Sequence, residues 1–444
     1  MYSLVVAASA LIAVSGCSDS VTLQIAGDRP VPTAIDAICV GVADASLSGG
    51  HFGRAYRLEG KLGSLPQTLR LESGGADAAW AWVRGDRGGV PAAGAGVAVD
   101  FSRDIALNLD RCVTGPGGAP AEVGDEAGPP GAQLAASQGA GGTLIVAAGA
   151  TVDVLDARSG SLVATPAPAP GAGTVTAILA VDLDGDCDDD IVLATTGAAP
   201  VLWRRDGVTF TDLGPLGGPP ISAVAAADVE HDGDLDLVVG GGAQIVLWLN
   251  DGGGNFTRKD GAIVMPGRVT AVSALALGDL DGDGNADLVV GQAPGPLRAW
   301  VGGSGMFSPA DAAIAPVPLD VARLVLADAD GDFDPDLAVS VRNAPLRLYV
   351  DRDGRLEDQS FVRLPQPAPL ATAIALGGWD AGCEPDAVVA TAAGGPALRG
   401  TADGILAADG MAPPATDVVM ADIDEDGDLD ALLAGATGVT WLAR

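Results

Sequence analysis

The sequence predicts an all-β protein built largely from tandem four-stranded units, and three observations carry that reading. An acidic nonapeptide recurs about every 44 to 51 residues, short apolar runs flank each copy, and an aromatic returns at a nearly fixed distance behind most copies. Composition agrees: 64 Gly and 30 Pro among 444 residues, with 48% hydrophobic, suit short strands joined by turns rather than long helices. The length exceeds one ordinary core, so a repeat array plus a smaller module is expected. A formal charge of −34 argues against a nucleic-acid partner, because phosphate binding needs clustered Lys and Arg. Divalent cations are the natural partner. Regular apolar alternation also argues against a solvated acidic tail.

The chain opens on an apolar stretch, Leu4 to Val14, that is too short to span a bilayer as a mature helix. Residues 1–17 read as an export signal, although no Lys or Arg precedes the stretch; a buried N-terminal strand is the alternative. Val14-Ser15-Gly16-Cys17 resembles the lipobox of bacterial lipoproteins. That resemblance implies removal of the signal, acylation of Cys17 and, with Ser18 next, sorting to the outer membrane of a Gram-negative envelope. Export would place Cys39, Cys112, Cys187 and Cys383 in a disulfide-permissive compartment with three pairings open. Cys39 with Cys112 is favoured, since those residues sit near the two ends of the next module and their bridge is worth roughly 4 kcal/mol in the chain-entropy model.

From Val21 to Val113, short β-like runs separated by turn residues predict a small β-sandwich of about 90 residues. The runs are Val21 to Ile25, Ile38 to Val42, Leu69 to Glu72, Ala78 to Val83, Val97 to Phe101 and Ile105 to Leu109. A Pro- and Gly-rich stretch with almost no apolar patterning follows, and residues 114–132 read as a linker.

Residues 133–444 form the repeat array. Its acidic segments run Asp182 to Asp190, Asp228 to Asp236, Asp279 to Asp287, Asp328 to Asp336, Gly378 to Asp386 and Asp422 to Asp430. Each lies between two apolar runs. A third run then carries Trp203, Trp248, Trp300, Tyr349 or Trp441, about 11 to 13 residues after the ninth position, which marks one structural and mainly packing position. Turns such as Asn250-Asp251-Gly252 lead to a fourth run. Four strands per repeat predict a β-propeller. A further unit, Thr143 to Ala147 and Val152 to Leu155, precedes the first motif without an acidic loop, giving seven blades, or six if it is not counted. The last unit stops at Arg444 after its third strand and needs an outer strand from elsewhere.

In the Asp279 loop, carboxylates at positions one, three and five can converge on one point, and Gly284 allows the turn that returns Asp287 to close a cage. Oxygen ligands in that number suit Ca2+ better than the smaller, more hydrated Mg2+. Four carboxylates about 5 Å apart repel by roughly 3 kcal/mol per pair at an effective dielectric of 20, which a dication would relieve. Solvated acidic turns are the alternative, and repetition at one register argues against it. The predicted metal ligands are Asp182, Asp184, Asp186 and Asp190; Asp228, Glu230, Asp232 and Asp236; Asp279, Asp281, Asp283 and Asp287; Asp328, Asp330, Asp332 and Asp336; and Asp422, Asp424, Asp426 and Asp430. About five Ca2+ sites result. Cys187 and Phe333 stand at position six, where a positive φ favours Gly, so those two loops should bind more weakly. The Gly378 loop keeps only Asp380 and Asp386 and is expected to be empty. Cys187 and Cys383 share a loop position in the second and sixth units, roughly 16 to 23 Å apart in a symmetric ring and beyond disulfide reach.

These segments resemble the FG-GAP and VCBS repeats of integrin α-subunit propellers and many bacterial surface proteins, over residues 133–444. The resemblance implies a structural calcium loop between the first two strands on one face and ligand-binding loops on the other. Those loops (214–220, 265–268, 315–323, 364–370, 411–416) are mostly Pro, Gly and Ala, and Asp320, Arg268 and Arg323 read as solvated. The expected function is a calcium-stabilised, lipid-anchored cell-envelope scaffold for binding or adhesion to a protein or glycan. A lectin-like propeller is the alternative, with aromatics stacking on sugars. An enzyme such as a polysaccharide lyase, a polysaccharide hydrolase or a phosphodiesterase is a third class, thinly supported, because the chain has only His51 and His231 and no nucleophile with its base.

Overall fold

A computed structural model describes the strands of residues 4–122 and most of the chain from Gly131 onward; undescribed positions in the latter fall chiefly at 138–142, 157–162, 169–172, 266–268, 380–384 and 424–428. In each acidic repeat an apolar inner strand runs into the loop, the chain reverses, and a second strand starts at the ninth-position Asp. Val272–Gly278 pairs in this way with Asp287–Gln292, which pairs with Arg298–Gly303, which pairs with Met306–Pro309, all antiparallel. Seven such four-stranded sheets follow one another and form a seven-bladed β-propeller.

Blade 1 is the unit without an acidic loop: Gln133–Ser137, Leu144–Ala148, Val152–Asp156 and Val163–Thr165. Blades 2 to 6 begin at Val175, Ala223, Val272, Val321 and Ala373. Blade 7 contributes Asp417–Ala421, Asp430–Ala434 and Val439–Ala443. Its missing outer strand is Ala121–Glu122, with Glu122 opposite Leu442 and Ala121 opposite Ala443. Two residues of the stretch read as linker therefore complete the ring, and they pin its two ends together. Inner strands of successive blades touch all the way round, blade 7 against blade 1 included.

The core is divided among the blade interfaces. Each of the seven interfaces has its own cluster of buried side chains. Second strands such as Asp190–Thr195 and Asp336–Val341 are buried at every residue, as expected for strands covered on both faces. The repeated aromatics belong to these clusters: Trp203, Trp300, Tyr349 and Trp441 are at most 1% exposed, while Trp248 is half-buried. They stand opposite Ile191, Leu288, Leu337 and Leu432, so their recurrence is a packing register.

The N-terminal strands form two four-stranded sheets. One orders Leu4–Val6, Gln67–Glu72, Ser20–Ala26 and Ile105–Asn108; the other orders His51–Arg57, Ala37–Asp44, Ala79–Arg87 and Val90–Val99. Leu23, Ile25, Ile38, Val40 and Val83 are buried there. His51–Arg57 escaped the sequence reading because Gly53, Arg54 and Arg57 interrupt its apolar pattern. Leu4–Val6 sits at a sheet edge; Cys17 and Cys112, and the side chain of Cys39, lie outside the described residues. Among the described residues, no helix is long and apolar enough to cross a membrane.

Candidate metal centres

Each acidic loop is organised first by its own backbone. Asp182 at position one accepts hydrogen bonds from the Gly185 and Cys187 N–H groups at 2.8 and 2.9 Å. Asp228 does the same for Asp232 and Gly233, and Asp279 for Gly284. Such tight turns need left-handed residues. Position six supplies one as expected, even where it is Cys187 at φ 70°. Position four is a second, filled by His231 at φ 59° in blade 3, and was not foreseen.

These turns bring the acids together unevenly. Ligand atoms of Asp182, Asp184 and Asp186 lie within 4.8 Å of one another, as do those of Asp279, Asp281 and Asp287, and of Asp328, Asp330 and Asp332. Such triads can hold a metal ion. Asp184 Oδ1 is buried without a hydrogen-bond partner, the condition a cation would satisfy. In blade 3 no such triad forms among the described residues; Glu230 turns instead to Lys259, 3.7 Å away. Asp380, Asp422, Asp424 and Asp426 lie outside the described residues.

The ninth-position Asp has a role that the sequence reading missed. Asp236 accepts the Val229 N–H on one oxygen at 3.0 Å and the Asn250 N–H on the other at 2.9 Å. Asp190, Asp287, Asp336 and Asp386 repeat that pattern, and Asp430 keeps its half with Ile423. All six are at most 3% exposed. This carboxylate latches the loop base to the third strand, whatever else it ligates. The signal was present in the sequence, since Asp386 persists in a loop that has lost two other acids.

Burial and mutual repulsion raise the pKa values of these groups. Burial pushes Asp190 up to about 9, opposed by the Arg205 N–H and reinforced by Asp184 and Asp182. Asp186 rises to about 8, Asp336 to about 7, and Asp236 and Asp287 to about 6, each chiefly through burial. A cation would oppose these shifts.

Loops also meet across blade boundaries. Asp281 of blade 4 lies under the Gly354 turn of blade 5, where an added Cβ would come within 3.0 Å of the Asp281 Cβ. His231 Nε2 lies 2.6 Å from Asn285 Oδ1 of the next loop. In blade 5, Arg352 contacts Asp330 and Asp332 at 3.1 and 3.2 Å, and Arg363 contacts Asp330 at 3.0 Å. Fully buried Arg205 donates to Ser137 O at 2.6 Å and so ties blade 2 to blade 1, which lacks an acidic loop.

Two expectations are corrected on the opposite face. Arg323 is no solvated loop residue: it lies on the inner strand of blade 5 and bonds Asp417 of blade 7 at 2.5 Å and Gln133 of blade 1. Asp320 pairs with Arg342 at 2.9 Å; Arg268 lies outside the described residues. Both partners are distant in sequence, which hid them. Cys187 is disulfide-bonded, and its partner lies outside the described residues.

The family profile of the FG-GAP-like repeat matches residues 182–239, 228–290 and 279–339. The chain is a seven-bladed β-propeller, and residues 182–339 of it match FG-GAP-like repeats. No curated protein matches the sequence. Among solved structures, BBS1N in complex with ARL6DN is similar at 15% identity, over 73% of this chain and 95% of that one, with a TM-score of 0.48. An Agrocybe aegerita lectin described as recognising non-reducing terminal N-acetylglucosamine is similar at 14% identity, over 96% and 99% of the two chains, with a TM-score of 0.49.

Proposed function

We propose that this propeller is a calcium-stabilised, lipid-anchored scaffold of a bacterial cell envelope that binds a partner without catalysing a reaction. The observation that carries the proposal is the convergence of three carboxylates inside a backbone turn of the same design in blades 2 and 4. Hard oxygen ligands in flexible loops suit Ca2+. The anchor rests on the Val14 to Cys17 segment.

A protein partner is favoured over a glycan. Of the repeated aromatics that could stack on sugars, Trp203, Trp300, Tyr349 and Trp441 are buried and Trp248 is half-buried. The most exposed large apolar side chains, Phe361 at 81%, Met411 at 70%, and Val362 and Leu370 at 61% each, belong to the blade 5–blade 6 segment. The non-enzymatic reading is supported by His231, which faces Asn285 in a loop rather than a nucleophile. Thermal melting of the purified mature chain with Ca2+ or with chelator tests the metal; the proposal requires a much lower Tm with chelator. A glycan array run beside affinity capture tests the partner. Saturable binding to one glycan, abolished by competing free sugar, would contradict the protein preference.

A further inference from the structure

We propose that blade 5 supplies its own cation: the guanidinium groups of Arg352 and Arg363 hold the Asp328–Asp336 loop together, and this loop takes no Ca2+ where the loops of blades 2 and 4 do. The inference rests on the calcium reading of those other loops. Asp328, Asp330, Asp332 and Asp336 carry four formal negative charges, and two guanidinium groups bring the same +2 as one calcium ion. Arg352 reaches Oδ2 of both Asp330 and Asp332, and Arg363 reaches the same Asp330 oxygen. Guanidinium forks match carboxylates in a fixed plane; they take the Oδ2 atoms and leave Asp330 Oδ1 buried without a hydrogen-bond partner.

Both arginines are placed by the fold, although the Arg352 side chain stays 42% exposed. Arg352 follows Asp351, whose N–H is held by Asp336 Oδ1 at 2.9 Å, so the loop's own latch positions it. Arg363 ends the short helix Ser360–Arg363, is only 11% exposed, and also donates to Gly404 O at 2.8 Å in blade 6. Asp330, its partner, is 7% exposed, which sets this pair apart from weak surface ion pairs. Gly404 leaves the room required. At φ 68°, a Cβ there would lie 1.8 Å from an Arg363 nitrogen and 2.6 Å from the Asp330 Cβ. Blade 6, next in line, has Gly378 and Gly382 where acids would stand. The junction of blades 5 and 6 is thus joined by arginine, while the loops of blades 2 and 4 depend on metal.

Calcium content and hydrogen exchange of the whole mature chain test this together. Chelation is expected to strip protection from residues 182–190 and 279–287 and to leave 328–336 unchanged. The double variant R352Q/R363Q is expected to bind about one more Ca2+ per chain than wild type, and R352K/R363K to bind the wild-type number. G404A, which displaces Arg363 without removing charge, is expected to raise exchange at 328–336 even with calcium present. Protection of 182–190 and 279–287 serves as the internal measure that each variant has folded. If 328–336 loses protection on chelation as the other loops do, or the double variant gains no ion, the arginine proposal is wrong and the calcium reading survives. If no loop responds and neither form binds Ca2+, both are wrong.

Discussion

Blades 2 and 4 and blades 5 and 6 share strand order, register and the ninth-position aspartate, yet they balance the charge of their loops differently. In blades 2 and 4 three acids converge on a point. In blade 5 two arginines lie against the acids, and in blade 6 the motif has lost its first and fifth acids. The latch formed by Asp190, Asp287, Asp336 and Asp386 is common to all four blades. The difference teaches that the motif contains two devices. One is a buried carboxylate that any blade needs to hold its loop to its third strand. The other is a charge cluster that needs a cation from solution, unless the chain provides one.

Calcium removal should separate the sectors most strongly. At a hundredfold excess over Kd each filled site contributes about 2.7 kcal/mol, so loss of several should lower Tm by more than about 10 °C. Calorimetry with and without chelator checks this. The latch predicts the next largest effect: Asp386→Ala leaves the buried Trp379 and Gly400 N–H groups unpaired and should cost about 2 to 5 kcal/mol. Denaturant melts should find the same loss with calcium or chelator, because that loop has lost its first and fifth acids. Asp281→Asn, by contrast, should weaken calcium binding about tenfold, near 1.4 kcal/mol, with little effect on the chelated protein. Calorimetric titration distinguishes the two.

Titration has an effect whose sign is fixed. Asp236 and Asp287 at about 6 and Asp336 at about 7 lie above their ordinary value of 3.8. The folded, metal-free chain therefore holds protons that the unfolded chain releases. That contribution is complete below pH about 4 and is lost as pH rises through 6 and 7. The chelated protein should melt lower at pH 8 than at pH 5, while the increment gained from calcium should grow over the same range. Melting curves at both pH values check the crossing.

Much of this was legible in the sequence, because a propeller repeats its instructions. Nine-residue spacing from Asp279 to Asp287 located the loop, and the aromatic after it located the third strand. Position six announced its backbone angle even with Cys187 in place. What stayed hidden were contacts between residues far apart in the chain. Ala121–Glu122 completes blade 7 from a stretch with no apolar pattern, since an edge strand two residues long needs only backbone hydrogen bonds. Arg323 looked like a loop charge because Asp417 lies 94 residues on. Arg352 and Arg363 looked unrelated to the Asp328 loop, being spaced by a turn and a helix whose path only the fold reveals.

Anomalous diffraction from crystals of the mature chain grown in millimolar Ca2+ tests the central claim most directly. The account predicts calcium peaks between Asp182, Asp184 and Asp186 and between Asp279, Asp281 and Asp287. Loops that show only water at those two positions under the same conditions would contradict it.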